Sequence, residues 1–268
     1  MCEILCTRGN RKKVAFGLDA YITARANNRD GAGYVIFQRT KEGFDLVENA
    51  TFGAKPVPYY EYQEPPIDLE ADEVEEVPFR TAGYNNVPKR KIGFEQPTYP
   101  YHYGGGGKTL VTPHDEVPDE MLRAQDSLKY NQVMISHFRL ATSGGVIHEN
   151  THPIINGDYL VIHNGVLGYS KLPAGYSDTR LFTSLLNEAS KRLKGKITPK
   201  KEQKLINAIL DVAGVYWSMY VYCFKKKQLY YFKEEYASYY HDASGYLCAT
   251  RSARFPVYSK EAKSGLIR

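Results

Sequence analysis

The sequence contains no unbroken apolar run of about 18 residues, the minimum for a transmembrane helix, so no membrane span is predicted. Its amino-terminal stretch also lacks the apolar core of a secretory signal peptide, because basic residues interrupt it from Arg8 onward. Only four cysteines are present and no two form a Cys-x-x-Cys pair, so neither a disulfide framework nor a zinc site is predicted. We therefore expect a soluble cytoplasmic protein that does not bind membranes.

The net charge is only +5, but acidic and basic residues are segregated along the chain. Residues 56–79 contain eight acidic and no basic side chains, whereas residues 191–204 contain seven basic side chains and one acidic one. A basic stretch can bind nucleic acid, but this one has no interleaved aromatic residues and lies at a predicted helix boundary. We interpret it as a solvated helix face and expect no nucleic-acid partner.

Hydrophobic residues make up 43% of the 268 positions, which is enough for a packed core. Runs rich in β-branched and aromatic residues predict strands at 4–7, 33–38, 44–48, 133–142, 159–163, 214–224, 228–232 and 246–250. Apolar residues at helical spacing predict helices at 15–26, 178–193 and 199–214. Strands, two consecutive helices and further strands indicate sheets with helices packed on them.

Three local signals refine this pattern. The helix that begins at Asp178 has an apolar stripe formed by Leu181, Leu185, Ala189 and Leu193, with Phe182 and Leu186 beside it. Thr198 followed by Pro199 predicts the N-cap and first residue of the next helix. The Asn164-Gly165 dipeptide predicts a tight turn that ends the strand at 159–163.

Residues 54–130 differ from the rest of the chain, because proline, tyrosine and acidic residues dominate them. An irregular segment of this length inside one domain is generally functional or disordered. Its glycine run, 104–107, precedes Lys108 but lacks the features of a phosphate-binding loop, so we predict a flexible loop there. We interpret 54–130 as an insertion within a single domain, 2–268, that serves as a flap over the site or as a docking surface.

Cys2 follows the initiator methionine, and removal of Met1 would make it the amino-terminal residue. A thiol titrates at about 8.5 and an α-amino group at about 7.7–8.0, so the amine can take the thiol proton at little cost near neutral pH. This is how an N-terminal nucleophile is activated by its own amine. If Met1 is retained, the nitrogen is a non-basic amide and the arrangement fails. Alone, the dipeptide is a weak signal that chance could also produce.

Several short segments occur with Cys2 in an order that resembles the class II glutamine amidotransferases. They are NNRDGAGY (27–34), HFRLATSGG (137–145), THP (151–153), HNGVLGY (163–169) and SDTRLF (177–182). The resemblance covers most of the chain outside the insertion, and several motifs in one order are more specific than any one of them. It implies an α+β fold of the N-terminal-nucleophile hydrolases, a four-layer αββα sandwich of two mainly antiparallel sheets.

The resemblance also implies how glutamine would be recognised. Arg139, in the family's Arg-x-x-Thr position, would bind the α-carboxylate, which a planar guanidinium can hold through two hydrogen bonds. Asp178 matches the family's ammonium-binding position, although an aspartate at the start of a helix is also a common cap. Thr142, Ser143 and Gly144 fall where the family's loop contacts the substrate carboxylate.

For the chemical step, the resemblance makes Cys2 the nucleophile and matches Asn164 and Gly165 to the oxyanion hole. Asn164 would act through its side-chain amide and Gly165 through its backbone N–H. Donors aimed at a developing oxyanion typically contribute roughly 2.7–4 kcal/mol apiece. Asn-Gly is also a common hairpin turn, and both interpretations can hold.

The chain departs from the family pattern at three places. Glu3 stands where the family usually has glycine, and Arg180 replaces a typical glutamate. The family's Arg-Gly-x-Asp-Ser segment would put arginine at Asn27 and serine at Gly31, so Arg29 is the nearby substitute for substrate binding. We therefore expect closure over the substrate, and the choice of what docks near Arg180, to differ from those of the family.

Four histidines could suggest a metal site. His148 and His152 are four residues apart, and His137 and His163 occur in neighbouring segments. Pro153 follows His152 and the region is predicted as loop, so the spacing does not place the two on one helix face. We expect neither a metal ion nor another cofactor.

The function that the resemblance implies is hydrolysis of the glutamine side-chain amide through a Cys2 thioester, releasing glutamate and ammonia. A partner synthase subunit would then use the ammonia, unless the chain is a stand-alone amidohydrolase. One alternative is a γ-glutamyl amide hydrolase that releases an amine. The other is a non-catalytic binding module on the same fold, with the insertion as its working surface.

Overall fold

A computed structural model of the chain describes residues 2–9, 15–28, 30–53, 117–193, 198–213, 216–233, 240–241, 247–250, 260–261 and 263–267. Met1, Arg29, residues 54–116 with their glycine run, and the helix end predicted at Gly214 lie outside these ranges. Within them, no helix is long and apolar enough to cross a membrane.

The described residues form twelve β-strands and four α-helices. The strands are β1 (Glu3–Arg8), β2 (Gly31–Arg39), β3 (Phe44–Gly53), β4 (Gln132–Phe138), β5 (Ile154–Asn156), β6 (Tyr159–Val166), β7 (Tyr216–Cys223), β8 (Gln228–Lys233), β9 (Tyr240–His241), β10 (Leu247–Ala249), β11 (Lys260–Glu261) and β12 (Gly265–Leu266). The helices are α1 (Leu18–Asn27), α2 (Asp119–Asp126), α3 (Asp178–Arg192) and α4 (Pro199–Ala213).

The strands form two sheets, in which neighbouring described strands are antiparallel. A seven-stranded sheet has the order β11-β9-β10-β1-β4-β2-β3, and a five-stranded sheet has the order β12-β8-β7-β6-β5. In the larger sheet β1 lies between β10 and β4, with Ile4 opposite His137 and Cys6 opposite both Ile135 and Cys248. This central position fixes the register of the segment that carries Cys2.

Side-chain alternation along the strands builds three apolar layers. Between the two sheets, Ile4 and Cys6 of β1 pack with residues of the opposite sheet such as Leu160 and Tyr220. The outer face of the seven-stranded sheet, including Leu5, is covered by α1 and α2. The outer face of the five-stranded sheet is covered by α3 and α4. The layers therefore run helix, sheet, sheet, helix, and the predicted αββα class is confirmed.

Several strand ends differ from the predicted ones. β4 ends at Phe138 and not at 142, β3 continues to Gly53 and not only to 48, and β6 continues past its predicted end. The Asn164-Gly165 dipeptide does not end β6, because Asn164 lies opposite Ser218 and Gly165 opposite Trp217 in the ladder with β7. Gly165 has a φ of 135°, a conformation that favours glycine, and it stays paired with Trp217 of β7. The strand continues to Val166.

The predicted irregular insertion is also shorter at its carboxyl end than expected. Residues Asp119–Asp126 form helix α2, whose buried side chains include Met121 and Ala124. They pack against the seven-stranded sheet together with residues of α1. A helix of only eight residues gave too few turns of apolar periodicity to be recognised in the sequence.

In α3 the buried stripe differs from the predicted one. Phe182 and Leu186 are fully buried against the five-stranded sheet, whereas Leu185 and Leu193 are 41% and 40% exposed. The predicted helix start is confirmed for α4, where Thr198 Oγ1 accepts a hydrogen bond of 3.4 Å from the N–H of Lys201. Tertiary packing, and not apolar spacing alone, decides which flank of an amphipathic stripe is covered.

Candidate active site

Cys2 lies directly before β1 and is 8% exposed. Its Sγ accepts a hydrogen bond from the N–H of Leu140 at 3.3 Å, and its thiol faces the carbonyl oxygen of the same residue at 3.4 Å. Burial raises the pKa of the Cys2 thiol, and the bond from Leu140 and the charge of Arg139 partly oppose that rise. The pairing of β1 with β4 thus holds the thiol beside the segment that follows β4.

Arg139 follows β4 and is almost fully buried. Its Nη2 donates to the carbonyl oxygens of Ser143 at 3.1 Å and Gly145 at 2.8 Å, which holds the guanidinium in one orientation. Its Nη1 is buried and has no hydrogen-bond partner among the described residues. Burial lowers the pKa of Arg139, but an arginine stays charged in proteins. One nitrogen is therefore anchored, and the other can bind an anion.

Asp178 is the first residue of α3, and it does not cap the helix. Ser177 is the N-cap, because its Oγ accepts from the N–H of Arg180 at 3.2 Å. The Asp178 carboxylate accepts from the N–H of Leu167 at 2.8 Å through Oδ2 and from the N–H of Thr179 at 2.8 Å through Oδ1. Asp178 is therefore not the helix cap. Its carboxylate is buried and is held in place by two backbone N–H donors.

Six of the predicted site residues line one cavity, namely Cys2, Arg139, Thr142, Ser143, Gly165 and Asp178. The free volume that this cavity offers to a water-sized sphere is about 10 Å³, room for about one water molecule. Its lining is polar and carries a thiol, a guanidinium and a carboxylate. Such a group of side chains can bind a small zwitterion and attack it.

Two described residues of the predicted site, Gly144 and Asn164, are not in the cavity lining. Gly144 has a φ of 70°, and a side chain there would place its Cβ 2.3 Å from the nitrogen of Ser177. Asn164 precedes the lining residue Gly165, and its Oδ1 is buried without a hydrogen-bond partner among the described residues. Arg29 lies outside the described residues.

Asn150 is a buried residue of the site region that the sequence did not single out. Its Nδ2 donates to the carbonyl oxygens of Gly144 and Gly175, and its Oδ1 accepts from the N–H of Ser177 at 3.0 Å. One side chain therefore joins the loop after Arg139 to the loop before Asp178. A lone asparagine in a loop carries no sequence signal for this role, since its partners are distant along the chain.

A second group that sequence analysis did not assign is a cluster of three buried histidines. His137 Nε2 lies 2.9 Å from the carbonyl oxygen of His163, and His137 Nδ1 lies 3.2 Å from Nδ1 of His152. His163 Nδ1 lies 2.8 Å from Oγ1 of Thr179. His152 and His163 also line the cavity. As predicted, His148 and His152 do not lie on one helix face. The fold nevertheless brings the rings of the three buried histidines together.

Burial favours the neutral form of these three imidazoles. Burial lowers the pKa of His137 to about 3, and it lowers the pKa of both His152 and His163. Among the described residues, no group of three or more histidine, cysteine or acidic side chains has the arrangement of a metal site. The bonds of His137 to its two neighbours instead make the cluster a hydrogen-bonded support beneath the cavity.

Comparisons with known proteins gave matches only among solved structures. No family model and no curated protein matches this chain. The chain is similar to the glutamine phosphoribosylpyrophosphate amidotransferase from B. subtilis complexed with ADP and GMP, with 13% identity and a TM-score of 0.42. It is also similar to a structure described as the allosteric regulatory enzyme of purine biosynthesis, with 14% identity and a TM-score of 0.45.

Both matches cover 100% of this chain but only 45% and 44% of the matched chains. The chain thus spans less than half the length of these relatives. At such identities and TM-scores the similarity carries no argument about activity, which must come from the side chains around the cavity.

Proposed function

We propose that this chain hydrolyses the side-chain amide of glutamine, with Cys2 as the nucleophile. The observation that supports the proposal is the arrangement of three groups around one cavity, the Cys2 thiol, the Arg139 guanidinium and the Asp178 carboxylate. Glutamine carries a carboxylate and an ammonium at one end and a reactive amide at the other. These are the charges and the electrophile that this lining complements.

In this proposal Arg139 and Asp178 hold the amino-acid end of the substrate. Nη1 of Arg139 has no partner among the described residues, so it can donate to the α-carboxylate. The Asp178 carboxylate accepts two backbone bonds of 2.8 Å, which leaves acceptor capacity for the α-ammonium. Charge-assisted bonds in a buried site favour a zwitterion over a neutral amide.

The reaction then divides into two acyl-transfer steps. After Met1 is removed, the Cys2 amine takes the thiol proton, and Sγ attacks the amide carbonyl carbon. The Gly165 N–H and the Asn164 side-chain amide donate to the oxyanion. The amine returns the proton to the leaving nitrogen, ammonia departs and a γ-glutamyl thioester remains. Water adds to the thioester, giving glutamate and restoring the thiol.

Two consequences concern the surroundings of the site. The cavity is about the size of one water molecule, so the substrate must displace part of its lining on binding. Thiols are kept reduced in the cytosol, so four free cysteines and a thiol nucleophile are compatible with the cytoplasmic location that we propose. We further propose that a partner synthase consumes the ammonia.

The test is glutamate release from L-glutamine, combined with the intact mass of the purified protein. We expect a mass without Met1, activity in the wild type and no activity in Cys2→Ala. Cys223→Ala is the matched control, because Cys223 is also buried but lies in the layer under α3 and α4. Retained Met1, or equal activity in Cys2→Ala, would refute the nucleophile assignment.

The same assay separates the alternatives. If L-glutamine is inert but γ-glutamyl amines are cleaved, the chain is a γ-glutamyl amide hydrolase, and both reactions use Arg139 and Asp178. If no amide is cleaved but L-glutamine binds, it is a binding module.

A further inference from the structure

His152 is a buried ring at the cavity whose function the proposed reaction leaves open. It is 3% exposed and lines the same cavity as Cys2. Its backbone packs tightly on β2, because a Cβ added at Gly33 would lie 1.9 Å from the carbonyl oxygen of His152. Its ring contacts His137 edge-to-face at a centroid distance of 4.0 Å. The position of the imidazole is therefore fixed on two sides.

The hydrogen bonds of His137 determine its tautomer. A backbone carbonyl can only accept, so the 2.9 Å contact with the His163 oxygen requires a proton on His137 Nε2. Because burial keeps this ring neutral, it carries only that one proton. His137 Nδ1 is therefore a hydrogen-bond acceptor.

The tautomer of His152 follows from that of His137. The two Nδ1 atoms lie 3.2 Å apart, and one of them must donate. Since His137 Nδ1 has no proton, His152 Nδ1 carries it. His152 is also neutral, so its Nε2 is an unprotonated acceptor. This atom is buried and has no hydrogen-bond partner among the described residues.

We propose that Nε2 of His152 accepts a hydrogen bond from an N–H group of the glutamyl substrate and so selects substrates that supply a donor at this point. The inference rests on the proposed function, because it concerns the same cavity. A buried acceptor without a partner is unfavourable, and a ligand that donates to it recovers that free energy. The donor is the α-ammonium or the carboxamide N–H, and both share this chemistry.

His152 accepts this bond without acting as a base. Burial lowers its pKa well below the ordinary value, and the positive charge of nearby Arg139 opposes a second positive charge there as well. A proton transferred to Nε2 would thus be held poorly. A fixed lone pair that does not capture the proton suits the positioning of a substrate N–H, while the amine of Cys2 handles proton transfer.

The first test needs no turnover. In ¹⁵N-histidine-labelled Cys2→Ala protein, long-range ¹H–¹⁵N spectra report which ring nitrogen of each histidine carries the proton. We expect a protonated Nδ1 and a bare Nε2 for His152, and the opposite tautomer for His137. Addition of L-glutamine should move the His152 Nε2 shift upfield by several parts per million. A protonated Nε2 in the free protein, or an unchanged shift at saturating L-glutamine, would overturn the inference.

The second test uses kinetics with three substrates in the otherwise wild-type chain. His152→Phe keeps the ring but removes the lone pair, whereas His152→Gln can place an amide oxygen near the position of Nε2. With L-glutamine we expect kcat/KM to fall roughly 10- to 100-fold in the Phe variant and less than about tenfold in the Gln variant. The exposed His148 gives the matched control, His148→Gln, which should be unchanged.

The identity of the donor follows from substrates that lack one N–H group. Glutaramic acid has no α-ammonium, and the γ-methyl ester of glutamate has no amide N–H. The substrate on which wild type and His152→Phe become equal lacks the donor that His152 binds. An equal loss on all three substrates would mean a purely structural role and would overturn the inference.

The two proposals can fail separately. Absence of glutamate release with the expected NMR shift would refute hydrolysis and leave the acceptor assignment intact. Glutamate release with a protonated Nε2 would do the reverse. If the Phe variant does not fold, the spectra and the Gln variant still decide.

Discussion

Ser143 and Asp178 form a hydrogen-bonded pair in the lining of the cavity. Ser143 Oγ accepts a hydrogen bond of 3.2 Å from the backbone N–H of Asp178 and lies 3.4 Å from its Oδ1, to which the hydroxyl can donate. The carbonyl oxygen of Ser143 accepts from Arg139 at 3.1 Å. A single serine thus links the cationic and the anionic side of the proposed glutamine site.

Replacing this serine should weaken substrate binding more than the chemical step. We expect Ser143→Ala to raise KM about 5- to 20-fold with a small change in kcat, because the lost hydroxyl bonds are each modest. The measurement is steady-state glutamate release over a range of L-glutamine concentrations. Ser170→Ala, at an exposed loop position, is the control. A fall in kcat at constant KM would contradict a binding role.

Arg139→Lys tests whether the planar guanidinium, and not only its charge, is required. Lysine cannot bond to Ser143 and Gly145 while also presenting a second donor in the same plane, so we expect kcat/KM to fall at least about 100-fold. Circular dichroism and thermal unfolding should show that the variant folds. Arg123→Lys, on the exposed face of α2, should have wild-type kinetics. Near wild-type activity in Arg139→Lys would exclude the carboxylate clamp.

The histidine cluster predicts a loss of stability in acid. The native pKa of His137 is about 3, and those of His152 and His163 are also lowered by burial, whereas an unfolded histidine titrates near about 6.5. Below about pH 6.5 the unfolded chain binds protons that the native chain does not. The free energy of unfolding should therefore fall as the pH falls below about 6.5, by at most about 1.4 kcal/mol per pH unit for each histidine that stays neutral in the folded chain.

Urea unfolding at pH 7, 6 and 5 measures this slope. His152→Gln should reduce it by at most about 1.4 kcal/mol per pH unit, with the larger effect between pH 6 and 5, because one titrating group is removed. His148→Gln, at an exposed position, should leave the slope unchanged. Identical slopes in wild type and His152→Gln would mean that His152 does not titrate differently in the two states.

Cys2 should react slowly with alkylating reagents in the folded protein. Burial raises the pKa of its thiol, so less thiolate is present at pH 8 than in an unfolded chain. We expect the rate of iodoacetamide labelling of Cys2, read by peptide mass spectrometry, to rise with pH beyond the point where the urea-unfolded protein levels off. A folded protein that labels faster than the unfolded one at pH 8 would indicate a lowered pKa instead.

The sequence predicted most of the secondary structure of the described residues. Alternation and composition located β2, β4, β7 and β8, since those strands bury their side chains regularly. The layer order came from the family resemblance, because periodicity does not say which sheets face each other. The tight turn predicted at Asn164-Gly165 is wrong, because the pairing of these residues with β7 outweighs the turn propensity of the dipeptide. Local signals give way where tertiary contacts are strong.

Cys2 was singled out by its thiol and its adjacent amine, and Arg139 and Asp178 by the family resemblance; all three line one cavity, and their roles stay predictions. The proposed role of His152 left no signal in the sequence. It depends on which of the two ring nitrogens is protonated, and a partner 15 residues away decides that. Contacts distant in sequence leave no local pattern.

Replacing Asn150 tests whether its side chain holds the loop after Arg139 to the loop before Asp178. Asn150→Ala would leave the carbonyl oxygens of Gly144 and Gly175 and the N–H of Ser177 without this partner. We expect a loss of about 2–4 kcal/mol in the free energy of unfolding and a higher KM, because buried unpaired groups are unfavourable. Glu149→Gln, at the exposed neighbouring position, is the control.

Asn150→Asp tests whether the hydrogen-bond donor of the amide is needed, because aspartate has the same size as asparagine but lacks that donor. The aspartate keeps an acceptor for the N–H of Ser177 but places a second oxygen where Nδ2 donated to two carbonyl oxygens. Oxygen facing oxygen is repulsive when the side chain is ionised and is relieved when protonation supplies a donor. We therefore expect Asn150→Asp to be less stable than Asn150→Ala at pH 7, with the difference shrinking at pH 5 in urea unfolding. If the aspartate variant is as stable as wild type at pH 7, Asn150 does not join the loops through its amide.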